Sequence, residues 1–362
     1  MRSIGVDIHK DYAYVFELAG DGTKKHCKIP LYGPEMTKFC ESLDEHAQVV
    51  VEASTNSFRF SEIAGRFAGR VVVCDPAQAR GVVSKAAMND HKAAEALARL
   101  LQANFIKEVW LPPAPVRALR CQVSHYMQLN RTRTQTINRV RSLFQQEFID
   151  FRLGTVGPHS HSFLDAQFQE QPELRFYLCS LLRQVSHLNQ ELSELERSFG
   201  SWSRQSPEAQ LLMSIPGVAA VVSTVLLAEI GDIRRFPASG KLCSYAGLVP
   251  KVHESGTVLQ RGGISRAGRS DMRWALNIAV WGISGRSKIL DAFRERLRAK
   301  RPKMVAQTAA CRKLLAVIWS MLTYKRPFRD QDLELNSRKK LRLEGCSRPS
   351  PESFVVPKIS PR

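Results

Sequence analysis

Residues 2–8, RSIGVDI, alternate apolar and polar side chains, which is the period of a half-buried strand. YAYVFEL (12–18) and KKHCKIP (24–30) follow after short polar turns, so three successive strands predict a hairpin meander. PEMTKFCESLDE (34–45) has helical spacing with a proline near its start. AQVVVEA (47–53) and RVVVCDP (70–76) are unbroken apolar runs, the pattern of strands covered on both faces. SFRFSEIAGRFAG (57–69) reads as a helix closed by glycine, and KAAMNDHKAAEALARLL (85–101) as a loop entering an amphipathic helix. The order β-β-β-α-β-α-β-α predicts a mixed sheet with helices packed on it.

That order is the one found in the ribonuclease H-like fold. LPPAPV (111–116) marks a boundary, and a segment with Arg117, Arg120, Arg131, Arg133, Arg139 and Arg141 follows. No acid occurs between Glu108 and Glu147, so this predicted helix faces nucleic acid rather than water alone. Leu181, Val185, Leu188, Leu192 and Leu195 repeat as about two heptads of a coiled-coil seam. Such a seam packs against the arginine-rich helix or joins two copies of the chain. LLMSIPGVAAVVSTVLLAEIGD (211–232) places a Pro-Gly turn between apolar helical stretches. It reads either as a helix-hairpin-helix element whose turn meets a DNA phosphate, or as a tight corner in a core. The expected domains are 1–110, an α/β domain; 111–205, a helical coiled-coil region; 206–328, a C-terminal domain; and 329–362, a basic flexible tail.

The charge sharpens this division. The chain has 362 residues and a formal charge of +19. Residues 1–108 hold 14 basic and 14 acidic side chains, so the remainder carries the whole excess. A neutral domain joined to a strongly cationic one points to a polyanion, with nucleic acid ahead of a membrane surface. No apolar run approaches 18 residues and the N-terminus enters a strand at once, so neither a span nor a leader is expected. The eight cysteines form no C-x-x-C pair and read as buried free thiols of a reducing cytoplasm. His159 and His161 have no partners nearby in sequence and read as loop residues.

Two places carry chemistry. Asp7 lies within a buried strand, where a carboxylate is costly unless a cation or proton partner compensates it. Glu52 ends the next core strand, and the ends of strands one and four are adjacent in this topology. Asp90 begins the helix beside that edge; alone it reads as a cap, but with Asp7 and Glu52 it offers converging oxygens for Mg²⁺ or Mn²⁺. The second place is SYAGLVPKVHESGTVLQRGGISRAGRSDMRWAL (244–276), glycine-rich and basic. Ser255 sits there among Lys251, His253, Arg261, Arg266, Arg269 and Arg273. It is either a nucleophile toward a phosphate, with cations stabilising the developing charge, or a turn serine beside a phosphate-binding patch.

IGVDIHK, VVVEASTN, NDHKAAEALARLL, SIPGVAAVVSTVLLAEIGD, YAGLVPKVHESG, ISRAGRSDMRWAL and RKLLAVIWSML occur in the order of the DEDD-type transposases. These are the Piv invertase-like, bridge-RNA-guided recombinases of bacterial insertion sequences, and the chain resembles them over residues 2–328. The resemblance implies a RuvC-like domain with four acids, a coiled coil, and a C-terminal transposase domain with a catalytic serine. By position the acids are Asp7, Glu52 and Asp90, and the serine is Ser255. It further implies a covalent 5′-phosphoserine on DNA, metal held by the acids, and a dimer of dimers in which one protomer's serine completes another's acidic site. An element-encoded noncoding guide RNA would pair with target and donor DNA, in a cytoplasmic, nucleoid-associated complex.

The departure is Ala93, which occupies the position of the fourth acid. Residues three apart share a helix face, so an acid there would reach the same ions as Asp90. The alanine is an introduced change, a decayed position, or a sign that three acids suffice. Three functions follow: an RNA-guided recombinase, a nucleic-acid-binding protein without catalysis, or a metal-dependent junction nuclease that does not need Ser255.

Overall fold

In a computed structural model, residues 2–76, 89–150, 164, 167–255, 258–265, 267–330 and 332–344 are described, and they form two compact units divided between Pro113 and Ala114. The first unit begins with β1 (Arg2–Ile8), β2 (Tyr12–Ala19) and β3 (Lys24–Pro30), the predicted meander. Then come α1 (Glu35–Glu41), β4 (Ala47–Glu52), α2 (Ser57–Ala64), β5 (Arg70–Cys74) and α3 (Asp90–Gln102). The sheet order is β3-β2-β1-β4-β5, with the meander antiparallel and β1, β4 and β5 parallel. This arrangement is consistent with a RuvC-like fold.

The apolar run of β4 is explained by burial on both faces. Val49 and Val51 pack with Ile4, Val6, Met36, Cys40 and Phe60 on the side of α1 and α2. Val50 points the other way and packs with Val72, Leu97 and Leu101 under α3. α3 seats on β1 through small residues. A Cβ on Gly5 would lie 2.0 Å from the Ala94 carbonyl oxygen and 2.7 Å from the Ala98 nitrogen, so only glycine allows this approach.

The second unit contains α4 (Ala114–Gln146) and α5 (Pro172–Gln205), each about 50 Å long at 1.5 Å per residue. They run antiparallel: Tyr126 hydroxyl meets Glu196 at 3.2 Å, and Arg133 meets Asn189 at 3.4 Å. Leu181, Val185 and Leu192 of the heptad seam are buried within the chain. Leu181 packs with Val140 and Phe144 of α4, and Leu192 joins the main core with Val123 and Tyr126.

That core runs on into α6 (Pro207–Met213), α7 (Ala220–Ile230), a short 3₁₀ turn (Ile233–Arg235) and α8 (Ser239–Tyr245). After them come β6 (Pro250–Ser255), β7 (Val258–Ile264), α9 (Ser270–Ile283), α10 (Lys288–Arg298), α11 (Lys303–Tyr324) and α12 (Leu333–Leu343). No boundary falls near residue 205, because α4 and α5 share their core with α7 and α9. α7 is apolar on all sides and is the central helix of this core. α11 is long and apolar enough to cross a membrane by length and composition, but half of its most apolar window is buried in this core. Arg312 and Lys313 are exposed midway along it.

The structure bears on two further expectations. The Pro216–Gly217 turn is the corner of a core: Ile215 and Val218 are fully buried, Gly217 has φ +82°, and its backbone presses on Gly282 of α9. The region after residue 328 also begins ordered. Asp332 caps α12, and the buried Lys339 ammonium donates to the carbonyls of Met213 at 2.7 Å and Ile215 at 2.8 Å. These carbonyls lie where α6 ends, so the basic side chain serves a helix C-terminus. Among the described residues seven cysteines are free thiols; Cys27 and Cys121 are exposed and the other five buried.

Candidate metal centre and serine hairpin

β1 and β4 deliver two acids side by side. Val6 pairs with Val51, so Asp7 and Glu52 each come one residue further along, on the face covered by α3. The close seat of Ala94 on Gly5 sets the height of α3 and brings its first residue, Asp90, to the same end. Asn89, not Asp90, caps α3: its side chain accepts from the Lys92 N–H at 2.9 Å. Asp90 is therefore left to face the sheet edge.

His9 lies two residues beyond Asp7, and its N–H donates to the Tyr12 carbonyl at 2.8 Å, closing the turn into β2. His9 Nε2 is 3.2 Å from Asp7 Oδ2 and 3.3 Å from Asp90 Oδ1. Donor atoms from Asp7, His9 and Asp90 all lie within 4.8 Å of one another, and Glu52 is not in that set. Tyr12 hydroxyl donates to Asp90 Oδ2 at 2.6 Å, while the Lys28 ammonium sits 3.6 Å from the centre of the Tyr12 ring.

Burial pushes the Asp7 carboxyl above its ordinary range; the His9 imidazole opposes the shift and the Asp90 charge adds to it. The Tyr12 hydroxyl is also raised, first by its hydrogen bond to Asp90. Two carboxylates and an imidazole thus converge where one of the acids resists being charged alone. A divalent cation fits that donor set.

Ala93, one helical turn past Asp90, is only 8% exposed. It lies one turn before Leu97, which packs on Val50, so its Cβ faces the β4 side where Glu52 emerges. The sequence alone points to neither His9 nor Tyr12. For His9 a signal exists, since two residues along a strand return to the same face. For Tyr12 there is none, because its contact joins residues 78 apart in sequence.

In the second unit, Ser255 ends β6 and pairs with Val258 across the turn. The backbone of this glycine-rich segment thus forms a two-stranded antiparallel hairpin, with Ser255 near its tip. The side chains of Ser255, His253 and Arg261, and the whole of Arg266, lie outside the described residues.

The other arginines divide by what they touch. Arg120 donates to the carbonyls of Ala228 at 2.8 Å and Glu229 at 3.0 Å, at the C-terminal end of α7. Arg269 pairs with the buried Glu229 carboxylate, and Arg273 donates to the Ala246 carbonyl at 3.0 Å. All three have guanidinium groups engaged by the fold itself. Arg133 is half-buried beside Asn130 and Asn189, and Arg117 is half-buried. Arg131, Arg139 and Arg141 are exposed on α4. Arg131 also borders a groove of about 440 Å³ with Asn130, Gln135, Ser270, Asp271 and Trp274, and reaches Asp271 at 3.2 Å.

Comparison with known proteins finds transposase families along the chain. Residues 4–149 match the DEDD transposase family of IS110 type, and residues 209–297 match the "Transposase IS116/IS110/IS902 family". The chain is 27% identical over 344 residues to the "Putative transposase y4pF/y4sB" of Sinorhizobium fredii, covering 91% of this chain and 86% of that protein. It is 23% identical to the "Probable family 20 transposase" of Pseudomonas aeruginosa, over 91% of this chain and 99% of that protein. It is 30% identical to the "Pilin gene-inverting protein" of Moraxella bovis over 151 residues, 40% of this chain and 47% of that one. Two transposase families of the IS110/IS116 type are thus matched in order along one chain, which supports a DEDD insertion-sequence transposase.

Proposed function

We propose that the chain is an RNA-guided recombinase of an insertion sequence that exchanges DNA strands through a serine nucleophile. The observation that carries this reading is the convergence of Asp7, His9 and Asp90 at the end of β1, with Glu52 in register beside them. Asp7, Glu52 and Asp90 would hold Mg²⁺ or Mn²⁺, which when bound supplies positive charge to the oxygens of a phosphodiester.

Ser255 is the proposed nucleophile. Its Oγ forms a bond to phosphorus, the bond from phosphorus to the 3′ oxygen breaks, and that oxygen leaves as a hydroxyl carrying a proton. The product is a 5′-phosphoserine and a free 3′ end, and attack by another 3′ hydroxyl reverses the chemistry and releases the serine. The exposed arginines of α4, Arg131, Arg139 and Arg141, contact RNA and DNA backbones. An element-encoded noncoding RNA selects target and donor DNA by base pairing, in a dimer of dimers.

One observation favours a second reading. The buried methyl of Ala93 stands where the family's fourth acid falls, so the chain with alanine there assembles on nucleic acid more readily than it cuts. The test is a strand-exchange assay on DNA with two compatible sites, guide RNA and Mg²⁺. Ala93→Asp should give recombinants, and Ser255→Ala in that background should give none. Strand exchange that survives Ser255→Ala would overturn the serine mechanism.

A further inference from the structure

We infer that His9 is a direct ligand of the cation at the acid cluster, which makes the centre an oxygen–nitrogen site that favours Mn²⁺ over Mg²⁺. This rests on the reading of Asp7 and Asp90 as metal ligands and adds a residue and a selectivity to it.

The spacing supports it first. Donor atoms that share one ion at about 2.0–2.2 Å stand roughly 3.0–3.5 Å apart for angles between octahedral and tetrahedral. His9 Nε2 stands 3.2 Å from Asp7 Oδ2 and 3.3 Å from Asp90 Oδ1. Both separations lie within ion-pair range, and Nε2, an atom with no exposed surface, has no hydrogen bond of full geometry to either oxygen. A nitrogen aimed between two carboxylate oxygens at these distances has the disposition of a ligand.

The surroundings fix the three donors independently. Asp7 and His9 are two residues apart at the end of β1. The turn bond from His9 to Tyr12 holds the backbone there, and the Gly5–Ala94 contact holds α3. Tyr12 engages Asp90 Oδ2, which leaves Oδ1 as the oxygen turned to His9. With alanine at position 93, the imidazole joins Asp7 and Asp90 as a donor, with Glu52 in register beside them.

Chemistry then sets the preference. Mg²⁺ takes oxygen ligands and dehydrates reluctantly, whereas an imidazole favours ions further along the divalent series.

The experiment uses the full chain with ¹⁴N or ¹⁵N histidine and Mn²⁺, read by pulsed electron paramagnetic resonance. The expected result is a nitrogen coupling to bound Mn²⁺ that changes with the isotope and is lost in His9→Gln. His9→Gln should weaken Mn²⁺ binding by about 10-fold or more and narrow the Mn²⁺-over-Mg²⁺ preference. The isotope effect is read on the unaltered protein, so it stands even where a variant folds poorly. Mn²⁺ that binds, depends on Asp7 by an Asp7→Asn comparison, and shows no nitrogen coupling would overturn the role of His9 and leave the acid site standing. Absence of Mn²⁺ binding, or binding indifferent to Asp7→Asn, would overturn the acid site and this inference with it.

Discussion

Tyr12 donates a 2.6 Å hydrogen bond to Oδ2 of Asp90 and so ties the turn after β1 to the first residue of α3. The two residues belong to elements far apart in the sequence, and the bond orients one carboxylate of the proposed metal centre. Removing the donor should leave the fold intact, because Tyr12 lies at the sheet's rim. Tyr12→Phe is expected to weaken Mn²⁺ binding by roughly 10-fold, as removing a group that orients a metal ligand commonly does. A calorimetric titration checks this, and unchanged affinity would mean that Asp90 is oriented by something else.

Asp7 is the acid with the clearest cost. Burial and the Asp90 charge both raise its carboxyl, so without a cation the folded state binds a proton there more readily than the unfolded chain does. Its contribution to stability therefore falls as pH rises through the interval above 3.8. Asp7→Asn removes that charge. In chelator at neutral pH the variant is expected to melt a few degrees higher than the unaltered chain, on the order of 1 kcal/mol, while losing its stabilisation by Mn²⁺. Thermal melts with and without Mn²⁺ read both effects.

The arginines of the second unit should separate by partner. Neutralising Arg131, Arg139 and Arg141, for example to Gln, is expected to flatten the salt dependence of binding to duplex DNA by about 0.9 for each phosphate that is no longer neutralised. Arg120→Gln should behave differently. Its guanidinium serves the carbonyls of Ala228 and Glu229, so the expected effect is a loss of stability of about 1–3 kcal/mol. Binding titrations at several salt concentrations and urea melts distinguish the two outcomes.

Lys339 provides a pH handle on α12. Burial lowers its ammonium from 10.5 to about 8. Between those values the unfolded or undocked chain binds more protons than the docked one, so docking strengthens as pH rises from about 8 toward 10.5. Hydrogen exchange of the α12 amides, corrected for the intrinsic pH dependence, should show protection increasing across that window. Lys339→Met should abolish the pH dependence.

The sheet can be read from the sequence because its signals are local. The β1 pattern alternates, β4 and β5 are unbroken apolar runs, and turns separate the first three strands. Asp7, Glu52 and Asp90 can be brought to one edge by topology alone. His9 and Tyr12 cannot be assigned in the same way: their roles depend on a turn and on the height of α3, which Gly5 sets through a backbone contact. Asn89 displaces Asp90 as the cap because it stands one residue earlier, a distinction within the ordinary uncertainty of helix ends. The arginine richness of α4 is visible in the sequence, but not that Arg120 turns inward to a helix C-terminus. Pro216–Gly217 fits a phosphate-binding turn as well as a buried corner in the sequence, and its packing on Gly282 is visible only in the structure. The basic composition after residue 328 masks an ordered helix, since nothing local reveals that Lys339 is buried.

In the proposed function the acid cluster and Ser255 serve one strand-cleavage reaction, which Ala93 impairs. The most direct measurement is a denaturing gel of labelled DNA after incubation with guide RNA, Mn²⁺ and the Ala93→Asp protein. The expected result is a covalent protein–DNA band that is absent in chelator and absent in Ala93→Asp combined with Ser255→Ala, and weak or missing with Ala93 in place. A band that persists without Ser255, or no band from Ala93→Asp with DNA binding intact, would contradict it.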